Sequence, residues 1–224
     1  MFSLSEVRRP VKWYLFGLIA FVGIVSSLIV LIYNDHFLLG DPVHPNNDDV
    51  KYIQSARLLL NEGVLAYNTK EAPSAFIMPG LPLMLSGFMA VFGQEQGGVV
   101  AFRLFQCLLQ AFCIYLIFWI GYRTFNTRAA LIACTVSAFY PPDYFSSGVI
   151  LSETTFRTLL LLLVCCTILA MDRDGPALYV LIGVLTAAAA YFKPHASLYP
   201  AVLLIIWLRM KMRTAAMKAP AKAS

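Results

Sequence analysis

The sequence predicts an all-α polytopic membrane protein, with about six transmembrane helices and a large first external loop carrying interfacial helices. Three observations point there. Of 224 residues, 59% are hydrophobic and only 13% charged, with a mean hydropathy of +0.72, whereas a soluble domain carries about 25% charged residues. The apolar residues fall in runs long enough to cross a bilayer. A single long polar excursion, residues 34–98, interrupts them. The net charge of +5 does not indicate a nucleic-acid partner. Its basic residues sit in short clusters beside apolar runs, where they orient helices and meet lipid headgroups. Cys107, Cys113, Cys134, Cys165 and Cys166 all lie in apolar runs without zinc-site spacing, and read as small hydrophobes.

Residues 1–12 form a basic lead with Arg8, Arg9 and Lys12. Residues 13–33 follow, an uncharged run that at 1.5 Å per residue reaches about 31 Å, enough for the hydrocarbon core. The run is too long for a signal-peptide core and no A-x-A site follows it, so it reads as an uncleaved anchor. Within the excursion, residues 49–61 have helical spacing, with Asp49, Tyr52, Ile53, Ala56 and Leu60 on one stripe. Asp48 stands where an N-cap belongs, and Glu62-Gly63 marks a C-terminal stop. Residues 82–92 are apolar but too short to span, and read as an interfacial or half-embedded helix.

Residues 99–208 hold five further crossings in four apolar blocks. The first is 99–120, with Arg103 near its start. The second is 129–149, whose regular helix should end at Pro141-Pro142. The third is 151–171, headed by Ser152-Glu153 and carrying Arg157. The block 177–208 is too long for one crossing and divides at Lys193-Pro194-His195; residues 209–224 are a basic tail. With both termini inside, eleven of the 17 basic residues fall on the inner side, and nine of the twelve acidic residues fall outside. That asymmetry places the excursion outside and both termini in the cytoplasm, as in a multi-pass protein of the cell (inner) membrane. No internal repeat or inverted pair of broken helices is visible, which weakens a transporter reading.

In this topology Asp48-Asp49, Arg103, Glu153 with Arg157, and Lys193 with His195 gather on the outer face. Ionisable residues near membrane helices are costly unless paired or hydrated, and they mark function by default. Cations facing carboxylates at a membrane surface suit one kind of chemistry, in which the cations hold a lipid-linked phosphate and a carboxylate takes a proton from a hydroxyl. Each residue also has a plainer role. Asp48 could cap its helix, and Asp49 could favour the helix dipole. Glu153 and Arg157 are spaced for an i,i+4 ion pair. Arg103 could anchor a helix end at headgroup level, and Lys193 could snorkel. His36, His44 and His195 lack metal-ligand spacing. Tyr14, Phe112, Tyr115 and Trp119 read as lipid-facing or packing groups.

Asp48 to Gly63, DDVKYIQSARLLLNEG, followed by MPGLPL from Met78 to Leu83, resembles the first external loop of GT-C fold glycosyltransferases. The similarity is closest to the protein mannosyltransferase and aminoarabinose transferase superfamily. AFRLFQ (101–106), YRTFNTRAA (122–130), FYPP (139–142), LSETTF (151–156) and YFKP (191–194) agree in order. The resemblance implies an inverting transferase of glycan biosynthesis in the cell envelope. It would take a sugar from a polyprenyl-phosphate donor to a hydroxyl acceptor at the outer face. It implies Asp48 as general base, with Asp49 and Glu153 the neighbouring acidic positions. Arg103, Arg157 and Lys193 are then donor-phosphate candidates, and Tyr52 and His195 substrate contacts. Relatives differ in divalent-metal dependence, and the two adjacent aspartates leave that open. Members of the superfamily are longer than this chain, which leaves open a minimal enzyme or a homodimer or partner subunit completing the module. The alternative in a different class is a non-catalytic, GT-C-like lipid-binding or scaffold subunit of a glycan-assembly complex.

Overall fold

The computed structural model describes residues 7–37, 47–67, 78–172 and 175–218. His44, Lys70, Arg173, Lys222 and the parts 38–46 and 68–77 of the polar excursion lie outside the described residues. Every regular element among those described is a helix, so the expected all-α membrane class holds. Three helices are long and apolar enough to cross a membrane: α1 (Arg9–Tyr33), α4 (Gln96–Thr124) and α7 (Glu153–Asp172). Between and after them come α2 (Asp48–Glu62), α3 (Gly80–Phe92), α5 (Thr127–Ala138), α6 (Pro141–Gly148), α8 (Pro176–Phe192) and α9 (Tyr199–Lys218).

α1 begins at Arg9, four residues before the expected boundary, because Pro10 supplies a helical φ at a position that needs no N–H donor. It buries Leu15, Leu18, Val22 and Val30 along one stripe and leaves Trp13, Phe16, Ile24 and Ile32 exposed. That is the pattern of a helix with one face on protein and one on lipid.

α4 is the central element, packing against α1, α3, α5, α6 and α7. Against α1 and α5 it contributes Ile114 and Phe118 to a cluster with Leu18, Val22 and Cys134. Against α2 and α3 it contributes Phe102 to a second cluster with Ile53, Ala56, Leu85 and Met89. α7 runs beside α4 in the same direction. Cys113 meets Thr158 at 3.2 Å near one end, and Arg123 meets Asp172 at the other. α8 returns along α7 until Lys193 reaches Glu153, 2.9 Å away. One end of the bundle therefore carries Arg123, Arg128 and Asp172, and the other carries α2 with the starts of α4 and α7.

The other expected crossings are shorter, broken or more charged than these three helices. The block 129–149 is two helices, α5 of 12 residues and α6 of 8. At 1.5 Å per residue α5 reaches only about 18 Å. The break falls at Phe139-Tyr140, just before the Pro141-Pro142 pair that fixes the start of α6. Arg103 of α4 donates to the carbonyl of Gly148 at the end of α6. The broken pair thus follows α4 over most of its length. α8 has 17 residues, at the lower end of a spanning length. α9 has 20, but Arg209, Lys211, Arg213 and Lys218 occupy its second half.

Candidate active site

α2 begins at Asp48, with Asn47 in extended backbone as its cap residue and no side-chain cap bond. Asp48 is thus one residue inside the helix rather than the N-cap expected from sequence. Its carboxylate is used elsewhere: Oδ1 accepts a hydrogen bond from the Tyr67 hydroxyl at 2.7 Å. That bond is the main reason the Tyr67 phenol is pushed up to about 12, since only the protonated phenol can donate it. The Lys51 ammonium lies 4.3 Å from the centre of the Tyr67 ring, in cation–π contact. Gly63 ends α2 in the left-handed region, φ 69°, where glycine carries no steric penalty. The chain is thereby turned so that Tyr67 comes back to the start of its own helix.

Asp49, on the other side of α2, is completely buried beside Ile53 and Ala56, as the apolar stripe required. Tyr52 stands one turn after Asp48 and is half-buried. Its phenol is raised first by burial, then by the carboxylates of Asp48 and Glu153, while the Ser152 hydroxyl draws it back. Tyr52 therefore lies between the acidic group of α2 and the head of α7. From Glu153 the line continues to Lys193 at the end of α8. Asp48, Tyr52, Tyr67, Glu153 and Lys193 form one accessible polar cluster, built from three helix ends and one loop.

The position of Lys193 depends on Gly80. A Cβ added at Gly80 would stand 2.8 Å from the Tyr191 carbonyl oxygen and 3.0 Å from the Phe192 ring. The start of α3 thus rests directly on the last turn of α8. This is the local reason for the MPGLPL stretch: a tight start, no side chain at the contact, and Leu81 and Leu85 buried beneath.

The other candidate cations lie deeper. Arg157 is one turn beyond Glu153, about 6 Å along the axis. It pairs with Asp143 of α6 and donates to the Gln110 side-chain oxygen. The expected i,i+4 pair between Glu153 and Arg157 is replaced by two pairs to other helices. Arg103 is 1% exposed and holds the end of α6 through Gly148. Gln106 donates to the Leu151 carbonyl at 2.7 Å. Arg103, Gln106, Gln110 and Cys113 thus make a polar stripe along α4, facing α6 and α7. His195 is exposed, with its ring edge-on to Phe156 at 5.2 Å. Among the described residues, no group of three or more His, Cys, Asp or Glu side chains is placed to hold a metal ion.

Sequence reasoning singled out Asp48, Tyr52, Glu153 and Lys193, and the fold brings these together. It missed Tyr67, Asp143, Gln106 and Gln110. For the glutamines a signal was present: polar side chains at i, i+3, i+7 on an otherwise apolar helix. For Tyr67 there was none, because its contact depends on the path of the chain after Gly63.

Among curated proteins and solved structures, none matches the chain. Residues 73–222, about two thirds of the chain, match the family of dolichyl-phosphate-mannose-protein mannosyltransferases. The matched range holds Arg103, Glu153, Arg157, Lys193 and His195; it begins after α2 and does not reach Asp48. With that match over the α3–α9 framework, the chain belongs to the dolichyl-phosphate-mannose-protein mannosyltransferase family, membrane glycosyltransferases of the GT-C type.

Proposed function

We propose that the chain transfers a sugar from a polyprenyl-phosphate-linked donor to a hydroxyl acceptor, with Asp48 as general base. One observation carries the assignment: a hydroxyl group already donates to the Asp48 carboxylate at 2.7 Å. A general base must lie within about 2.6–3.2 Å of the proton that it takes. In the proposed reaction the acceptor hydroxyl replaces the Tyr67 hydroxyl at Oδ1. Its proton passes to Asp48 as its oxygen attacks the anomeric carbon. The bond from that carbon to the phosphate oxygen breaks, and the phosphate leaves with the electron pair. Attack opposite the leaving group inverts the anomeric centre.

Lys193 is the cation best placed for the leaving phosphate, since its partner Glu153 is exposed and can be exchanged for an anion. Arg157 is a second cation one turn deeper, and Arg103 acts by fixing the end of α6 near Glu153. Tyr52 and His195 line the approach. The topology that suits a lipid-linked donor puts this cluster on the outer face of the cell membrane, with both termini in the cytoplasm. The occupancy of Asp48 by Tyr67 favours one competing reading: a lipid-binding scaffold subunit in which Asp48 only fastens a loop.

Membranes containing the chain, supplied with radiolabelled polyprenyl-phosphate mannose as the probe, separate the two. Transfer into endogenous acceptors should fall about 100-fold or more in Asp48→Asn, the usual range for removing a general base. Donor binding should be retained. Unchanged transfer would remove Asp48 from the chemistry. Donor binding without transfer in the unaltered chain would leave the scaffold reading standing.

A further inference from the structure

Far from the Asp48 cluster, at the opposite end of α7, a cavity of about 380 Å³ opens between α7, α8 and α9. Thr167 follows Glu153 by 14 residues, so the two sites are about 21 Å apart along the helix. Thr167, Met171, Tyr179, Ile182, Leu203 and Trp207 are among its lining residues. Thr167 also meets the Tyr199 hydroxyl at the start of α9, at 2.8 Å. Its size falls in the range of about 300–1,000 Å³ typical of small-ligand sites. Against this wall α9 packs thinly, meeting α8, the turn before itself and, through Tyr199, α7.

The lining reaches Met171 near the end of α7 and Tyr179 near the start of α8, and on α9 it stops at Trp207, two residues before Arg209. α9 continues past Trp207 with Arg209, Lys211, Arg213 and Lys218 and no acidic residue. Arg209, two residues after Trp207, is exposed. Asp172, the carboxylate at the end of α7, is already paired with Arg123. An apolar slot with aromatic residues in its wall, at the end of the bundle where α9 turns basic, is complementary to an anionic lipid.

We propose that this cavity holds an acyl chain of an anionic glycerophospholipid, whose headgroup meets the basic second half of α9. The occupant would supply packing that α9 lacks from protein and would fix that helix against α7 and α8. The proposal does not depend on the transferase reading.

The test uses the full chain in phosphatidylcholine vesicles containing a minor fraction of dibromoacyl phosphatidylglycerol, or the same fraction of dibromoacyl phosphatidylcholine. Bromine quenches tryptophan at contact, and the difference between the chain and its Trp207→Phe variant isolates Trp207. Quenching should be stronger with the anionic lipid. Arg209→Ala and Lys211→Ala should each weaken it by about fivefold in apparent affinity, the effect of one cation beside an anionic headgroup. Equal quenching by the two lipids would overturn the proposal by reducing the contact to ordinary bilayer. So would indifference to the Arg209 and Lys211 substitutions. Absence of quenching by either lipid would overturn it too, placing protein, such as a second copy of the chain, over the cavity. Relief of quenching by added polyprenyl phosphate would give the cavity to the donor lipid instead.

Discussion

The hydroxyl of Tyr67 is both an obstacle at Asp48 and a report on it. Because the folded phenol is raised to about 12 from an ordinary 10.0, its proton is held by the fold. Stability from this contact is fully present below pH 10 and is lost as pH rises through 12. In a spectrophotometric titration, Tyr67→Phe should remove a phenol titrating near 12, and Asp48→Asn should return that phenol toward its ordinary value. If neither substitution changes the alkaline end of the titration, the contact is absent in solution. Deeper in the bundle, Arg157 pairs with Asp143, whose side chain is 13% exposed. Removing one partner leaves a poorly hydrated charge, so Asp143→Ala should cost about 2–3 kcal/mol of stability in thermal unfolding in detergent. The exposed Lys193–Glu153 pair is different in kind, because surface pairs contribute only about 0–1 kcal/mol. Lys193→Ala should hardly change stability while weakening donor binding. The sequence was readable for charges standing at helix ends and unreadable for their partners. Spacing alone paired Glu153 with Arg157; tertiary contacts pair Glu153 with Lys193 and Arg157 with Asp143.

Element by element, legibility follows the strength of the periodic signal. α1, α4 and α7 could be read because each is a long apolar run. The burial of Asp49, Ile53 and Ala56 in α2 could be read from their common stripe. What could not be read was how apolar sequence is divided into short helices: 129–149 has the composition of one crossing and the backbone of two. Pro141-Pro142 marked the break but not its consequence, a short α6 whose end is held by Arg103 from a neighbouring helix. The start of α3 gives the sharpest test at this level. Gly80→Ala would drive a methyl group into the Tyr191 carbonyl, where neither backbone can yield without moving α3 or α8. A loss of about 1–3 kcal/mol is expected, in the range of overpacked cores, along with a fall in donor binding as Lys193 shifts. Gly80→Ala with unaltered melting would mean that α3 and α8 do not meet as described.

The molecule as a whole is a helical membrane framework with a polar cluster at one end and a cationic end opposite. Composition alone was enough for the class, since 13% charge is too little for a soluble surface of this size. The gathering of Asp48, Tyr52, Glu153 and Lys193 needed three dimensions, because it spans α2, α7 and α8. If this cluster receives a lipid-linked phosphate, as proposed, native mass spectrometry of the chain released from mild detergent should reveal it. The unaltered chain should carry a co-purified polyprenyl phosphate or its sugar conjugate. Lys193→Ala should lose that mass while keeping any glycerophospholipid held elsewhere. An unaltered chain carrying only glycerophospholipid would refute the assignment of the cluster as a donor site.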